Sequence, residues 1–315
     1  MKKLAVVAFG GNALLKAGQK GTIDEQEANV SETCENLIPL IERDYNIVIG
    51  HGNGPQVGNI LLRNDAGVKM YNLANMPLDI AGAYSQGFIG YIIEQQFRNV
   101  LEKHGYEKDI ITLVTQVLVD KDDSAFQNPT KPIGPYYSEE EVEKMKEKGD
   151  KAVYAKDPKG NGWRKVVASP KPNRIGNRKS IERLAREGAI VVTVGGGGIP
   201  VFYIEPKKLQ GIDAVIDKDL ASSLLATQIN ADEFYILTDV PNVCINFNTP
   251  DEVRLGKITI AEAKKYLEEG QFTERSMAPK IRAAIQYVEN GGKECIITEA
   301  KQLHNPDAGT RIVLN

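Results

Sequence analysis

Three short apolar runs in this chain each stop at a cluster of glycines. Leu4-Ala5-Val6-Val7-Ala8-Phe9 ends at Gly10-Gly11, and Asn46-Ile47-Val48-Ile49 ends at Gly50-His51-Gly52-Asn53-Gly54. Residues 189–194 end at Gly195-Gly196-Gly197-Gly198. An unbroken apolar run of this length predicts a strand buried on both faces, as in a parallel sheet covered by helices. Helical stretches separate the runs. Residues 24–43 carry Val30, Leu37 and Ile41 on one stripe; a helix follows from Pro55, a long one runs from Pro77 to about His104, and another covers 178–187. Residues 110–119, 234–238, 294–298 and 311–314 predict further strands, and 220–227, 260–269 and 277–289 further helices. This alternation predicts an α/β three-layer sandwich with a mainly parallel central sheet and helices on both faces. At 315 residues the chain is long enough for one large domain.

The alternation breaks between about 120 and 172. That stretch holds six prolines, the charge-rich segment 139–151 and the single tryptophan, Trp163. It predicts an excursion from the main sheet, either a small protruding subdomain or a long surface loop.

Composition narrows the function. Hydrophobic residues make up 42% and charged residues 26%, with a net charge of -3. Such a balance argues against a nucleic-acid partner, so any phosphate must be met by a local positive cluster. Cys34, Cys244 and Cys295 form no metal or redox motif, and His51, His104 and His304 are too few to supply a zinc site comfortably. The N-terminal apolar run is too short for a signal peptide, and no stretch approaches the ~18 apolar residues of a membrane span. A cytoplasmic location with no membrane partner is the expectation.

The chemistry points to phosphate. Glycine lets backbone N–H groups approach a phosphate closely, and a following helix adds its positive end. Three such loops at strand ends favour a phosphate site over plain turns. The stretch Ala214-Val215-Ile216-Asp217-Lys218-Asp219-Leu220-Ala221-Ser222 places a lysine between two aspartates at a helix start. That pattern suits a solvated helix cap. It also admits a clamp in which the lysine neutralises a transferring phosphoryl group and an aspartate holds that lysine or a metal-bound phosphate, and the rest of the chain decides between the two. No G-x-x-x-x-G-K-[ST], G-x-G-x-x-G, D-F-G or H-R-D occurs, which excludes the P-loop, dinucleotide-binding and protein-kinase signatures.

At these residues the chain resembles the carbamate kinases of the amino acid kinase family. The resemblance is carried by Ala8-Phe9-Gly10-Gly11-Asn12-Ala13-Leu14, by residues 50–58 from Gly50-His51-Gly52 to Val57-Gly58, and by Gly195 to Val201. Val215-Ile216-Asp217-Lys218-Asp219-Leu220-Ala221, Ser276-Met277-Ala278-Pro279-Lys280 and Gly309-Thr310 complete it, so it spans nearly the whole chain. It implies reversible phosphoryl transfer between ATP and carbamate, giving ADP and carbamoyl phosphate. It implies Mg²⁺ held through the nucleotide phosphates with no protein metal ligand, and a homodimer. By motif, Lys131 in Pro129-Thr130-Lys131-Pro132 would reach from the excursion to the transferring group. Lys218 and Lys280 would neutralise phosphate charge, and Asp219 would orient them. Gly10, Gly11, Asn12, Gly52 and Asn53 would hold carbamate and the transferred group. Thr238, Asp239, Val240 and Met277 would border the nucleotide beside Lys218 and Lys280.

Three positions depart from the family pattern. Ala8 stands where the wider family often has a lysine, which raises the importance of Lys131. Arg275 replaces a glycine and Cys244 an aromatic, both near the expected nucleotide edge. Carbamate needs no general base, because it already carries negative charge, and this fits the scarcity of histidine. Two other readings compete. A kinase for an amino acid carboxylate such as acetylglutamate is opposed by Asn12 and by the missing lysine at position 8. A non-catalytic nucleotide sensor is opposed by Lys131, Lys218, Asp219 and Lys280 standing together.

Overall fold

A computed structural model of the chain describes residues 2–157, 160–274 and 276–315. Arg275 therefore lies outside the described residues. Strands β1 (Leu4–Ala8), β2 (Asn46–Gly50), β3 (Ile110–Thr112) and β4 (Gln116–Val119) come first in the chain. They are followed by β5 (Lys131–Tyr137), β6 (Val153–Lys156), β7 (Trp163–Val167) and β8 (Pro172–Ile175). Then come β9 (Ile190–Thr193), β10 (Ile199–Glu205), β11 (Lys208–Gly211), β12 (Glu233–Thr238), β13 (Cys244–Ile245) and β14 (Val253–Arg254). The last are β15 (Lys257–Thr259), β16 (Glu294–Glu299) and β17 (Thr310–Val313). Among the described residues the main sheet has eight strands in the order β15-β17-β16-β12-β1-β2-β9-β3. Every neighbouring pair in it is parallel except β16 with β17.

The helices are α1 (Ile23–Glu35), α2 (Ile38–Glu42), α3 (Gly54–Tyr71), α4 (Leu78–Lys103) and α5 (Glu139–Glu147). They continue with α6 (Arg178–Arg186), α7 (Lys218–Gln228), α8 (Ile260–Glu268) and α9 (Met277–Glu289). Because side chains alternate along a strand, β1 feeds two cores. Leu4, Val6 and Ala8 join Phe234, Leu225 and Ile281 under α6 to α9. Ala5, Val7 and Phe9 join Val30, Ile89 and Phe97 under α1, α2 and α4. Both faces of the sheet are thus covered, which is why its strands read as unbroken apolar runs. No helix among the described residues is long and apolar enough to cross a membrane.

Two expected elements divide. The helix expected over 24–43 breaks between Glu35 and Ile38, and α2 restarts with Pro39 in its first turn. Proline has no N–H to continue the α1 ladder but suits a helix start. The strand expected over 110–119 becomes β3, in the main sheet, and β4, in a second sheet with order β11-β10-β4-β8. Between them the Thr115 N–H donates to Gln86 Oε1 at 2.8 Å, and the Thr115 and Thr193 hydroxyls share a bond of 2.6 Å. Side chains have taken over from the strand ladder there.

Between 120 and 172 the chain forms an antiparallel sheet of β5, β7 and β6, with α5 behind a complete capping box at Ser138 and Glu141. Ile133 and Val167 of this sheet pack with Val57, Leu78 and Ala81 of α3 and α4 in a third, small apolar cluster. That cluster anchors the excursion beside the main sheet.

Candidate active site

Strands β12, β1, β2 and β9 are adjacent in the main sheet. Their carboxyl ends therefore bring Thr238-Asp239, Gly10-Gly11, Gly50 to Gly54 and Gly195 to Gly198 to one edge. Ligands in such sheets bind at this edge. A cavity of about 820 Å³ opens there, and its wall includes Gly10, Gly11, Asn12, Gly52 and Asn53. Lys131, Lys218, Asp219, Thr238, Asp239 and Lys280 line it as well.

Its charged centre is built on the first turn of α7. Asp217 is the N-cap, and its Oδ1 accepts from the N–H groups of Asp219 at 2.9 Å and Leu220 at 3.3 Å. Asp219, in the first turn, is only 3% exposed. It receives Lys218 Nζ on Oδ1 at 2.5 Å and Lys280 Nζ, from α9, on Oδ2 at 3.2 Å. Burial alone would push the Asp219 carboxyl up, but the two ammonium groups override it and hold it down at about 2. Burial pushes the Lys218 ammonium below its ordinary value, against the pull of Asp219. The third cation comes from the excursion: Lys131 Nζ donates to Asp217 Oδ2 at 3.0 Å. Three ammonium groups thus face one cavity on two carboxylates. This arrangement suits the binding and alignment of anions.

The glycine loops interlock beneath this centre. Gly196 has φ +65°, and a Cβ there would stand 2.2 Å from the Asn53 amide. Gly10 lies so close to β12 that a Cβ would meet the Leu237 carbonyl at 2.6 Å. Gly196 N donates to the His51 carbonyl at 2.7 Å, and Asn53 Nδ2 donates to Ser85 Oγ at 2.8 Å. The amide of Gln86 donates to the Gly195 carbonyl at 2.9 Å. Buried Ser85 and Gln86 of α4 therefore hold the β2 and β9 loops together from behind. His51 is buried beside them, and desolvation pushes its imidazole down to about 4, so it is neutral at pH 7.

Not every expected residue reaches the cavity. Val240 and Met277 are not part of its wall, and Met277 packs against the apolar core at the start of α9. Cys244 lies in β13, half-buried, away from the wall. Conversely, the sequence reading assigned no separate role to Asp217, although its place two residues before Asp219 is an N-cap signal. It missed Ser85 and Gln86, whose polarity within an apolar helix face was the available clue. It also missed Lys16, Glu32 and Lys301, which line the cavity as a charged cluster with Lys16 Nζ 2.5 Å and Lys301 Nζ 3.5 Å from Glu32. Nothing local in the sequence joins those three.

The amino acid kinase family model matches residues 3–299. A carbamate kinase of Pyrococcus horikoshii is 48% identical over 303 residues, covering 96% of this chain and 95% of that one. One of Thermococcus kodakarensis is 48% identical over 316 residues, covering 99% of each. The solved structure of carbamate kinase from Giardia lamblia bound to AMP-PNP is 42% identical and superposes with a TM-score of 0.92, covering 100% of this chain and 99% of that one. A strand-end cavity with three converging lysines, set in a chain similar over its whole length to these enzymes, identifies the protein as a kinase: it belongs to the amino acid kinase family, among its carbamate kinases.

Proposed function

We propose that the chain transfers a phosphoryl group reversibly between ATP and carbamate, and that in the cell it runs toward ATP, in the catabolism of arginine. The observation that carries the reaction is the convergence of Lys131, Lys218 and Lys280 on one cavity walled by glycine loops. Carbamate and the nucleotide phosphates repel one another, and carbamate is already a nucleophile. The remaining task is to align two anions and cancel their repulsion. In this reading Gly10, Gly11, Asn12, Gly52 and Asn53 hold carbamate and the transferred group. Lys218 and Lys280 meet the phosphoryl oxygens, with Asp219 fixing both. Thr238 and Asp239 border the nucleotide, whereas Val240 and Met277 stand outside the cavity wall. The direction toward ATP is supported by chemistry: carbamoyl phosphate is a mixed anhydride, and its transfer to ADP runs downhill.

In this reading the nucleotide carries Mg²⁺, which would spread the charge of its phosphates. The donor set agrees with that division of labour. Asp217 and Asp219 each face ammonium groups, so the carboxylates of the cavity centre serve the lysines. We place the protein in the cytoplasm, a reading supported by three unpaired cysteines. A homodimer is supported by apolar side chains on one exposed stripe of α4, namely Ile80, Tyr84 and Tyr91. Light scattering should give twice the chain mass, and Y84E with Y91E should give one; a wild-type monomer would end the dimer reading.

The reaction is tested by ATP formation from carbamoyl phosphate and MgADP in a coupled assay, beside an enzyme-free control. Rapid ATP formation that falls by about 100-fold in Lys131→Ala is expected. No ATP above the control, from folded protein, would redirect attention to amino acid carboxylates as substrates.

A further inference from the structure

The backbone brings Lys131 and Asp217 together from opposite parts of the chain. Lys131 opens β5 and stands opposite Val167 of β7. The next residue, Ala168, bridges Ala214, and Val215 N donates to the Ala168 carbonyl at 3.0 Å. Two residues further on is Asp217. Its two oxygens do different things: Oδ1 caps α7, while Oδ2 receives Lys131 Nζ at 3.0 Å. The Lys131 side chain is 37% exposed, whereas Lys218 and Lys280 are 17% and 14% exposed. Without a partner, a long lysine on an open sheet would sample many rotamers.

We infer that Asp217 is a positioning residue for Lys131, holding the excursion's ammonium over the cavity so that it meets the transferring phosphoryl group. The inference rests on the reaction proposed above. An ammonium has three N–H donors. One directed at Asp217 leaves two for the phosphoryl oxygens, so the carboxylate orients the lysine without occupying it. Asp217 and Asp219 then divide the work of one helical turn. Asp219 holds the two lysines of the main body, and Asp217 holds the one that arrives from outside.

Asp217→Asn separates the two duties, since asparagine caps a helix about as well as aspartate but carries no charge. The expected outcome is an unchanged melting temperature and a kcat lower by about tenfold or more, with KM for MgADP little altered. In a Lys131→Ala background the same substitution should cost nothing further. A merely structural Asp217 would instead lower the melting temperature and cost as much in both backgrounds. A readout independent of turnover is competitive labelling by acetic anhydride, followed by mass spectrometry. Lys131 released from its carboxylate should label several-fold faster in Asp217→Asn, with Lys16 as an internal control. Unchanged Lys131 labelling, or a kcat that rises, would overturn the assignment. Absence of turnover in the wild-type protein would count against the reaction alone, and the labelling result would still decide whether Asp217 holds Lys131.

Discussion

The three lysines that converge on Asp217 and Asp219 are held in two different ways. Lys218 and Lys280 belong to α7 and α9, are nearly buried, and share one carboxylate that is itself buried. Lys131 stands on a three-stranded sheet whose buried apolar members are few, and its partner Asp217 is less enclosed than Asp219. The difference teaches how one site can combine rigidity with access. The buried lysines are fixed before any ligand arrives, at the cost of desolvation that only a close carboxylate offsets. The third remains partly in water, where releasing or re-forming a single ion pair costs little. A charge that must meet an incoming anion can come from the less constrained side.

Breaking the buried half should have the largest effect. Asp219→Ala leaves two ammonium groups facing each other without a counter-charge. A loss of roughly 3–5 kcal/mol in urea unfolding is expected, together with loss of turnover. A stability within 1 kcal/mol of wild type would mean that the pair is far better solvated than its burial implies. Lys218→Ala keeps Asp219 paired with Lys280, so the fold should survive. Turnover should fall roughly 100- to 1,000-fold, as for removal of one donor to developing charge. Wild-type turnover in this variant would remove Lys218 from the chemistry.

The pH dependence sharpens the same contrast. The folded pKa of His51, about 4, lies below the ordinary value of 6.5, so the unfolded chain binds the proton more tightly. Stability should therefore be constant above about pH 6.5 and fall as pH drops toward about 4, by roughly 3 kcal/mol at most. Asp219 behaves differently. Its folded value of about 2 means its contribution persists until pH falls from about 3.8 through about 2. Between about pH 5.5 and 6.5 the slope should thus come from His51, because glutamates held below their ordinary value, such as Glu32, Glu35 and Glu233, add to it only nearer pH 4.5. Denaturation curves of His51→Gln at about pH 7.5 and 5.5 should show a flatter response than wild type; an equal slope would assign the effect elsewhere.

The smallest structural effect should come from the exposed half. Lys131→Ala should change stability by less than about 1 kcal/mol while lowering turnover by about 100-fold. A large loss of stability would show that Lys131 anchors the excursion. Whether the segment from about 120 to 172 moves as one protruding subdomain is a separate proposal, motivated by Lys131 lying within it. Hydrogen exchange should slow there when MgADP and a carbamoyl phosphate analogue are added together, and unchanged exchange would end the idea of closure.

The sequence by itself determined the architecture. Apolar runs such as Leu4 to Phe9 must be buried on both faces, and the glycines that follow them must mark strand ends, so a parallel sheet with a loop-lined edge was legible without coordinates. The expectation of a phosphate site came from three glycine loops at strand ends, a local signal, whereas Asp217-Lys218-Asp219 alone read as readily as a helix cap. The breaks inside two expected elements were less legible. Pro39 was a readable signal, but the division of 110–119 depended on Gln86 and Thr193, distant partners that replace ladder bonds. Only the tertiary structure decided which charges meet. Lys131 and Asp217 are 86 residues apart, as are the two ends of many pairings a sequence of this length permits. The registers of β5 with β7, and of Ala168 with Ala214, select this one, because an ion pair needs contact within a few ångströms and only the folded backbone supplies that distance.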